Sequence, residues 1–133
     1  MELDNTQRVK DIYAAFGRGD VPTLLEALAD DVEWVAPGPS DVPTTGTRRG
    51  KQAVQAWFGI VAETLEFRVF EPREFIAQGD KVVALVHAEI TSRRNGWEFV
   101  GNEAHLWAFE DGKVIRHEAF EDTAVLAAAY RGE

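Results

Sequence analysis

The sequence contains no cysteine among its 133 residues, and it contains no long apolar segment. Without thiols, the chain forms no disulfide, no thiolate metal site and no thiol nucleophile. Nowhere do 18 apolar residues follow one another, which argues against a membrane-spanning helix. The start, Met1-Glu2-Leu3-Asp4, has no basic region followed by an apolar run. We therefore expect no signal peptide and a soluble, cytoplasmic protein.

Basic residues are also scarce, because 14 Lys and Arg stand against 23 Asp and Glu and give a net charge of −9. No basic stretch is longer than the pairs Arg48-Arg49 and Arg93-Arg94. An acidic surface repels phosphate backbones and anionic lipids. We therefore expect neither a nucleic acid nor a membrane among the partners.

Aromatic residues, by contrast, are plentiful, and they include four tryptophans. Hydrophobic residues make up 45% of the chain, enough for one domain with a sizeable core. Large rings fill cores, and they also line apolar pockets. The composition thus favours one domain spanning residues 1–133, with a pocket that binds a small apolar molecule.

Helical spacing of apolar residues dominates the first half of the sequence, and hairpin signals dominate the second. The predicted segments are helices over 5–18 and 51–65, a helix capped by Asp20, a strand over 32–36, a loop over 37–50, strands over 67–69, 75–77, 82–91, 97–109 and 114–120, and a tail helix from 122 or 123. Helices followed by antiparallel strands indicate an α+β fold. We expect a cone-shaped, curved antiparallel sheet that wraps over three N-terminal helices and encloses the pocket.

Four stretches in this order resemble the nuclear transport factor 2-like superfamily, in particular its SnoaL-like branch related to ketosteroid isomerases. They are YAAFGRGD at 13–20, ADDVEW at 29–34, GKQAV at 50–54, and EDGKV at 110–114 followed by Asp122-Thr123. The resemblance covers essentially the whole chain and implies the same fold and a homodimer through the outer face of the sheet. It does not imply one activity, because the superfamily includes isomerases, cyclases, dehydratases, epoxide hydrolases and non-catalytic binding proteins.

The resemblance also places residues of this chain where relatives keep catalytic groups. The general-base Asp of ketosteroid isomerases falls on Ala36, and their oxyanion-hole Tyr falls on Ile12, so Tyr13 is expected to point elsewhere. Their protonated Asp falls on His105. The catalytic Asp of limonene-type epoxide hydrolases falls on Ala119. Both of these reactions are therefore disfavoured.

Two histidines, His105 and His117, are the candidate catalytic residues. A three-residue loop with Gly112 in a bulge position would make Phe109 and Lys113 the closing pair and set the two histidines directly opposite each other. A two-residue loop would place them on opposite faces. Neighbouring imidazoles suit acid–base catalysis, because one of them stays neutral as a base. The alternative is a hydrogen-bonded, half-buried His105 and a solvent-facing His117.

Other polar residues could assist. Glu103 and Glu121 share the odd-numbered face with both histidines and could orient an imidazole, although Glu121 could also be a solvated charge. His87 and Glu89 could join the two other histidines around a metal ion, but nothing in the spacing makes the four converge. We expect no metal and no cofactor.

The aromatic residues are the best candidates for ligand contacts, although Phe58 is equally well explained as core. Asn102 could anchor a ligand only if a bulge turns it inward. The predicted ligand-binding residues are Trp34, Trp57, Phe58, His87, Asn102, Trp107 and Glu121.

Three hypotheses for function follow. The leading one is a cofactor-free acid–base enzyme of isomerase, cyclase or dehydratase type that acts on a small hydrophobic or polyketide-like substrate. The second is a non-catalytic small-ligand-binding protein. The third is a structural dimerisation module whose interior is filled by its own side chains.

Overall fold

A computed structural model describes residues 2–133, with side chains from residue 4 onward, and these residues form four helices and six strands. The helices are α1 (Glu2–Gly17), α2 (Val21–Glu26), α3 (Lys51–Thr64) and α4 (Thr123–Arg131). The strands are β1 (Leu28–Ala36), β2 (Gly46–Arg49), β3 (Leu65–Gln78), β4 (Lys81–Ser92), β5 (Glu98–Glu110) and β6 (Lys113–Phe120). The predicted α+β class is confirmed. In the described part of the chain, no helix has the length and apolar character that a membrane span needs.

All six strands belong to one curved sheet, in the order β2-β1-β6-β5-β4-β3. Neighbouring strands are antiparallel as predicted, except that β1 and β6 run parallel, so the sheet is mixed. Parallel neighbours need a long connection, and the chain between β1 and β6 supplies it with α3 and four strands. The three N-terminal helices pack on the inner face of the sheet, where the main core forms.

Three elements differ from the prediction. The two short strands expected at 67–69 and 75–77 form the single strand β3, which continues through Pro72. Proline is tolerated there because β3 lies at the edge of the sheet and its register shifts beside Pro72. Strand β1 begins at Leu28, earlier than expected, because Leu28 pairs with the start of β6. The predicted loop over 37–50 contains the short strand β2.

The hairpin between β5 and β6 has a shorter loop than the predicted three-residue one. Its two-residue loop is Asp111-Gly112, closed by Glu110 and Lys113, so the predicted closing pair of Phe109 and Lys113 is wrong. Both loop residues have positive φ, 51° and 77°, as a type I′ turn requires. One extra residue, Ile115, then has no partner on β5 and forms a β-bulge.

The bulge restores the side-chain alternation that the short loop would otherwise have reversed. Trp107 pairs with His117, and His105 pairs with Ala119. His105 and His117 are therefore diagonal neighbours rather than directly opposed, which corrects the predicted register. Both nevertheless face the helices, and their ring centroids are 5.2 Å apart.

Candidate functional site

A cavity of about 100 Å³ lies between the helices and the inner face of the sheet and opens partly to solvent. Its wall is mostly aromatic and aliphatic. The predicted site residues on this wall are Trp34, Trp57, Phe58, His105, Trp107, His117 and Glu121. For comparison, an engineered apolar cavity of roughly 150 Å³ binds benzene. The described side chains therefore leave an open cavity, contrary to the hypothesis that the chain fills its interior with its own side chains.

A hydrogen-bonded chain of side chains forms one part of the wall. The Trp107 Nε1–H donates to the Tyr13 hydroxyl oxygen over 3.0 Å, which leaves the Tyr13 proton for His105 Nδ1 at 2.7 Å. On the other side of the ring, His105 Nε2 lies 2.6 Å from a Glu103 carboxylate oxygen. Glu103 is in turn hydrogen-bonded to Glu121. We call Tyr13, His105, Glu103 and Glu121 the polar network.

The two carboxyl groups of the polar network have their pKa values pushed apart. Burial, followed by the charge and hydrogen bond of Glu103, raises the pKa of Glu121 to about 8. Burial acts in the same direction on Glu103, but the hydrogen bond and charge of His105, with the hydrogen bond from Glu121, hold the pKa of Glu103 below its usual range. At neutral pH, Glu121 is therefore a protonated donor beside an ionised Glu103.

Two further groups on the cavity wall, the hydroxyl of Tyr13 and the ring of His117, stay neutral. Burial raises the pKa of the Tyr13 hydroxyl well above its usual value, so this residue remains a phenol. Burial, and then the nearby charge of His105, lowers the pKa of His117 well below its usual value. His117 is therefore a neutral imidazole at pH 7.

His117 stacks on Trp34, with ring centroids 4.0 Å apart and ring planes 22° from parallel. The two residues are direct partners in the parallel pairing of β1 and β6. Both are buried, with exposed fractions of 3% for Trp34 and 5% for His117. Neither Trp34 Nε1 nor His117 Nδ1 has a hydrogen-bond partner among the described residues.

A family model described as SnoaL-like domain matches residues 9–117. The chain belongs to the SnoaL-like family. The predicted membership of the nuclear transport factor 2-like superfamily is thereby confirmed.

Solved structures are similar to this SnoaL-like protein over nearly its whole length. An NTF2-like protein from Burkholderia xenovorans LB400 is 35% identical, with 98% of each chain covered and a TM-score of 0.89. An NTF2-like protein of unknown function from Burkholderia pseudomallei K96243 is also 35% identical, with 96% of this chain and 97% of that chain covered and a TM-score of 0.89. TerC, co-crystallised with polyporic acid, is 32% identical, with 96% and 98% covered and a TM-score of 0.87. A search of curated proteins found no match.

Two predicted ligand-binding residues of the SnoaL-like protein do not reach the cavity. His87 and Asn102 are paired across β4 and β5 on the outer face of the sheet, where His87 Nδ1 lies 2.9 Å from the Asn102 side-chain oxygen. No bulge separates Asn102 from His105, so side-chain alternation sends the two to opposite faces. The prediction that His87 and Asn102 contact a ligand in this cavity is therefore wrong.

The same alternation separates the four residues weighed for a metal site. His87 Nε2 bonds to Glu89 over 3.0 Å on the outer face, while His105 and His117 face inward. Within residues 2–133, no group of three or more His, Asp or Glu side chains is placed to hold a metal ion. The outer face also exposes Val100 and Phe120. The expected homodimer through this face stays a prediction.

Tyr13 was missed as a site residue, because the resemblance put Ile12 at the tyrosine position of the relatives and implied that Tyr13 points elsewhere. In the structure, both residues line the cavity, since these adjacent helical positions both belong to the buried side of α1. A signal was present: Tyr13 follows Val9 by four residues and precedes Phe16 by three, on the buried stripe of the helix. A buried tyrosine hydroxyl needs a polar partner, which here is His105.

Proposed function

We propose that this SnoaL-like protein is a cofactor-free acid–base enzyme acting on a small hydrophobic, polyketide-like substrate by isomerisation, cyclisation or dehydration. The observation that supports the proposal best is the polar network on the wall of an otherwise apolar cavity. Burying ionisable groups costs folding free energy, and strongly perturbed pKa values cluster at functional sites. A cavity that served only as core would have no use for two partly buried carboxyl groups and two buried histidines.

In the proposed reaction, Glu121 gives a proton to the substrate. A pKa of about 8 suits this role, because general acids work best when their pKa lies near the working pH. Once Glu121 has lost its proton, it faces the ionised Glu103 and takes a proton back readily. The replacement proton comes from solvent, to which the cavity is partly open, and His105 holds Glu103 in place to pass that proton to Glu121. Solvent likewise takes up the proton that the base removes from the substrate.

His117 has a separate role in the proposal. As a neutral imidazole on the cavity wall, it can accept a proton from the substrate or polarise a substrate oxygen. Its distance from the polar network is small, since its ring centroid is 5.2 Å from that of His105. Acid and base groups therefore border the same cavity, as proton transfer between two positions of one substrate requires.

The alternative is a non-catalytic protein that binds a small ligand in the same cavity. It is favoured by the mostly apolar wall and by the unpaired nitrogens of Trp34 and His117. The similarity to TerC, which was co-crystallised with polyporic acid, supports small-molecule binding under either proposal.

One experiment separates the two. Small aromatic, terpenoid and polyketide ketones are screened by thermal shift, because a ligand that binds the folded state raises its stability. Each hit is then incubated with protein in D₂O, and exchange of its C–H groups or conversion to product is followed by NMR. We expect catalysis by the wild type, with a loss of roughly 10²-fold or more in H105Q and E121Q.

H87Q is the matched control, because it makes the same change on the outer face, and its rate should equal that of the wild type. Ligands that bind without any exchange or conversion would identify a binding protein instead. Unchanged rates in H105Q and E121Q would remove the polar network from the mechanism.

A further inference from the structure

The stacked pair of Trp34 and His117 is a polar feature that the polar network does not use. Both side chains line the cavity and are at least nine-tenths buried. The Nε1–H of Trp34 and the Nδ1 of His117 have no hydrogen-bond partner among the described residues. Buried polar atoms are normally paired, so an unpaired one in a side chain that lines a cavity can take its partner from a molecule bound there.

The other tryptophans of the cavity show that this feature is specific. Trp107 donates its indole N–H to the Tyr13 hydroxyl, and Trp57 donates its own to the Thr44 carbonyl oxygen over 2.8 Å. Of the three tryptophans on the wall, Trp34 is thus the one whose N–H has no partner in the described chain. The fold gives a partner to the indole N–H of each neighbour and leaves that of Trp34 without one.

We propose that Trp34 Nε1–H and His117 Nδ1 form an anchor for the hydroxyl or carbonyl oxygen of a small, uncharged ring compound. The proposal deepens the proposed function, and it rests on it only in requiring that the cavity takes a ligand. Trp34 can only donate, so the ligand atom it meets must be an acceptor. An oxygen fits both tautomers of His117. If Nδ1 carries a proton, it can donate to a second lone pair of the ligand oxygen, and if it does not, it can accept the proton of a ligand hydroxyl.

The surroundings of the anchor define the rest of the ligand. The Trp34 ring has Trp57 and Phe58 as neighbours, each with its centroid 5.6 Å away, and such surfaces favour a ring as partner. No lysine or arginine lines the cavity in the part of the chain that the structure describes, whereas the ionised Glu103 does. A ligand anion would therefore be buried without a countercharge, which disfavours it.

The test uses phenol and toluene, which have nearly the same shape and differ in the hydroxyl group. Binding is measured by NMR titration of the ¹⁵N-labelled full chain, with the indole N–H signals as reporters. We expect phenol to bind more tightly than toluene and to shift the Trp34 indole signal, which is assigned by its absence in W34F. In W34F, phenol should bind about 3- to 10-fold more weakly while toluene changes little, as the loss of one hydrogen bond predicts.

W97F is the matched control, because Trp97 is exposed and does not line the cavity, and the change should leave the ratio of phenol to toluene affinity unchanged. Cyclohexanone separates the two oxygen types: a Trp34 shift with cyclohexanone shows that a carbonyl is accepted, and a shift with phenol alone shows a hydroxyl site. Both results support the anchor.

Three results would overturn the anchor. They are equal affinities for phenol and toluene, an unchanged affinity ratio in W34F, and no binding of either compound at roughly 10 mM, which lies above the weak millimolar range of small-ligand affinities. Benzoate binding more tightly than phenol would overturn the preference for an uncharged ligand. The two proposals fail separately, because this assay measures binding and not turnover. If no proton transfer is found but phenol still binds more tightly than toluene, only the proposed enzyme activity is contradicted.

Discussion

Replacing Glu121 with glutamine should change how the stability of the protein depends on pH. The pKa of this carboxyl rises from its ordinary value of 4.5 to about 8 in the folded state. Between these values, the unfolded chain releases a proton that the folded chain keeps, so the free energy of unfolding falls as pH rises. The loss of stability is absent below about pH 4.5 and complete above about pH 8.

The size of the stability change follows from the size of the pKa shift, since each pH unit in this window corresponds to about 1.4 kcal/mol of unfolding free energy. The glutamine side chain in E121Q would have the same shape, could donate its amide N–H to Glu103, and would have no proton to lose. From about pH 5 to about pH 8, E121Q should therefore gain on the order of 3 kcal/mol of stability relative to the wild type.

The assay is urea unfolding followed by tryptophan fluorescence at several pH values across this window. E110Q serves as the control, because Glu110 is an exposed glutamate beside the turn of the same hairpin. We expect the profile of E110Q to run parallel to that of the wild type. Parallel profiles for E121Q and the wild type would refute the neutral-acid assignment of Glu121.

Two further predictions concern the histidine and tyrosine of the site. The pKa of His117 is lowered in the folded state, so the stability that this residue contributes is present above about pH 6.5 and is lost as the pH falls below that value. H117F should therefore show a smaller drop in Tm between about pH 7 and about pH 5 than the wild type. Y13F leaves Trp107 and His105 without their buried partner and should cost about 2–4 kcal/mol in urea unfolding. The double variant Y13F/W107F should cost less than the sum of the two single changes, and simple additivity would contradict the bond between them.

Much of the fold could be predicted from the sequence, because local signals there agreed with the tertiary structure. Asp20 caps α2 through the Thr23 N–H, and Asp122 caps α4 through the Val125 N–H, as side-chain chemistry indicates. The bounds of β3 were not predictable in the same way, because Pro72 normally interrupts a strand. Only its place at the sheet edge makes the proline acceptable, and that place is a property of the whole topology.

The site was predicted in composition but not in connectivity. The aromatic residues and the inward face of His105 followed from periodicity and from the resemblance. The link from Tyr13 to His105 joins residues 92 positions apart, and local patterns contain no information about it. The pairing of Trp34 with His117 depends on a parallel contact between β1 and β6 that the expected antiparallel sheet did not include.

The bulge at Ile115 makes hairpin register a determinant of cavity chemistry. With the same two-residue turn but no bulge, the ladder would set Arg116 opposite Trp107 and turn His117 to the outer face. A cationic side chain would then stand where a neutral imidazole now stacks on Trp34. One scaffold can thus offer a cavity for uncharged oxygen compounds or one for anions, and the choice depends on a single unpaired residue rather than on a new side chain in the site.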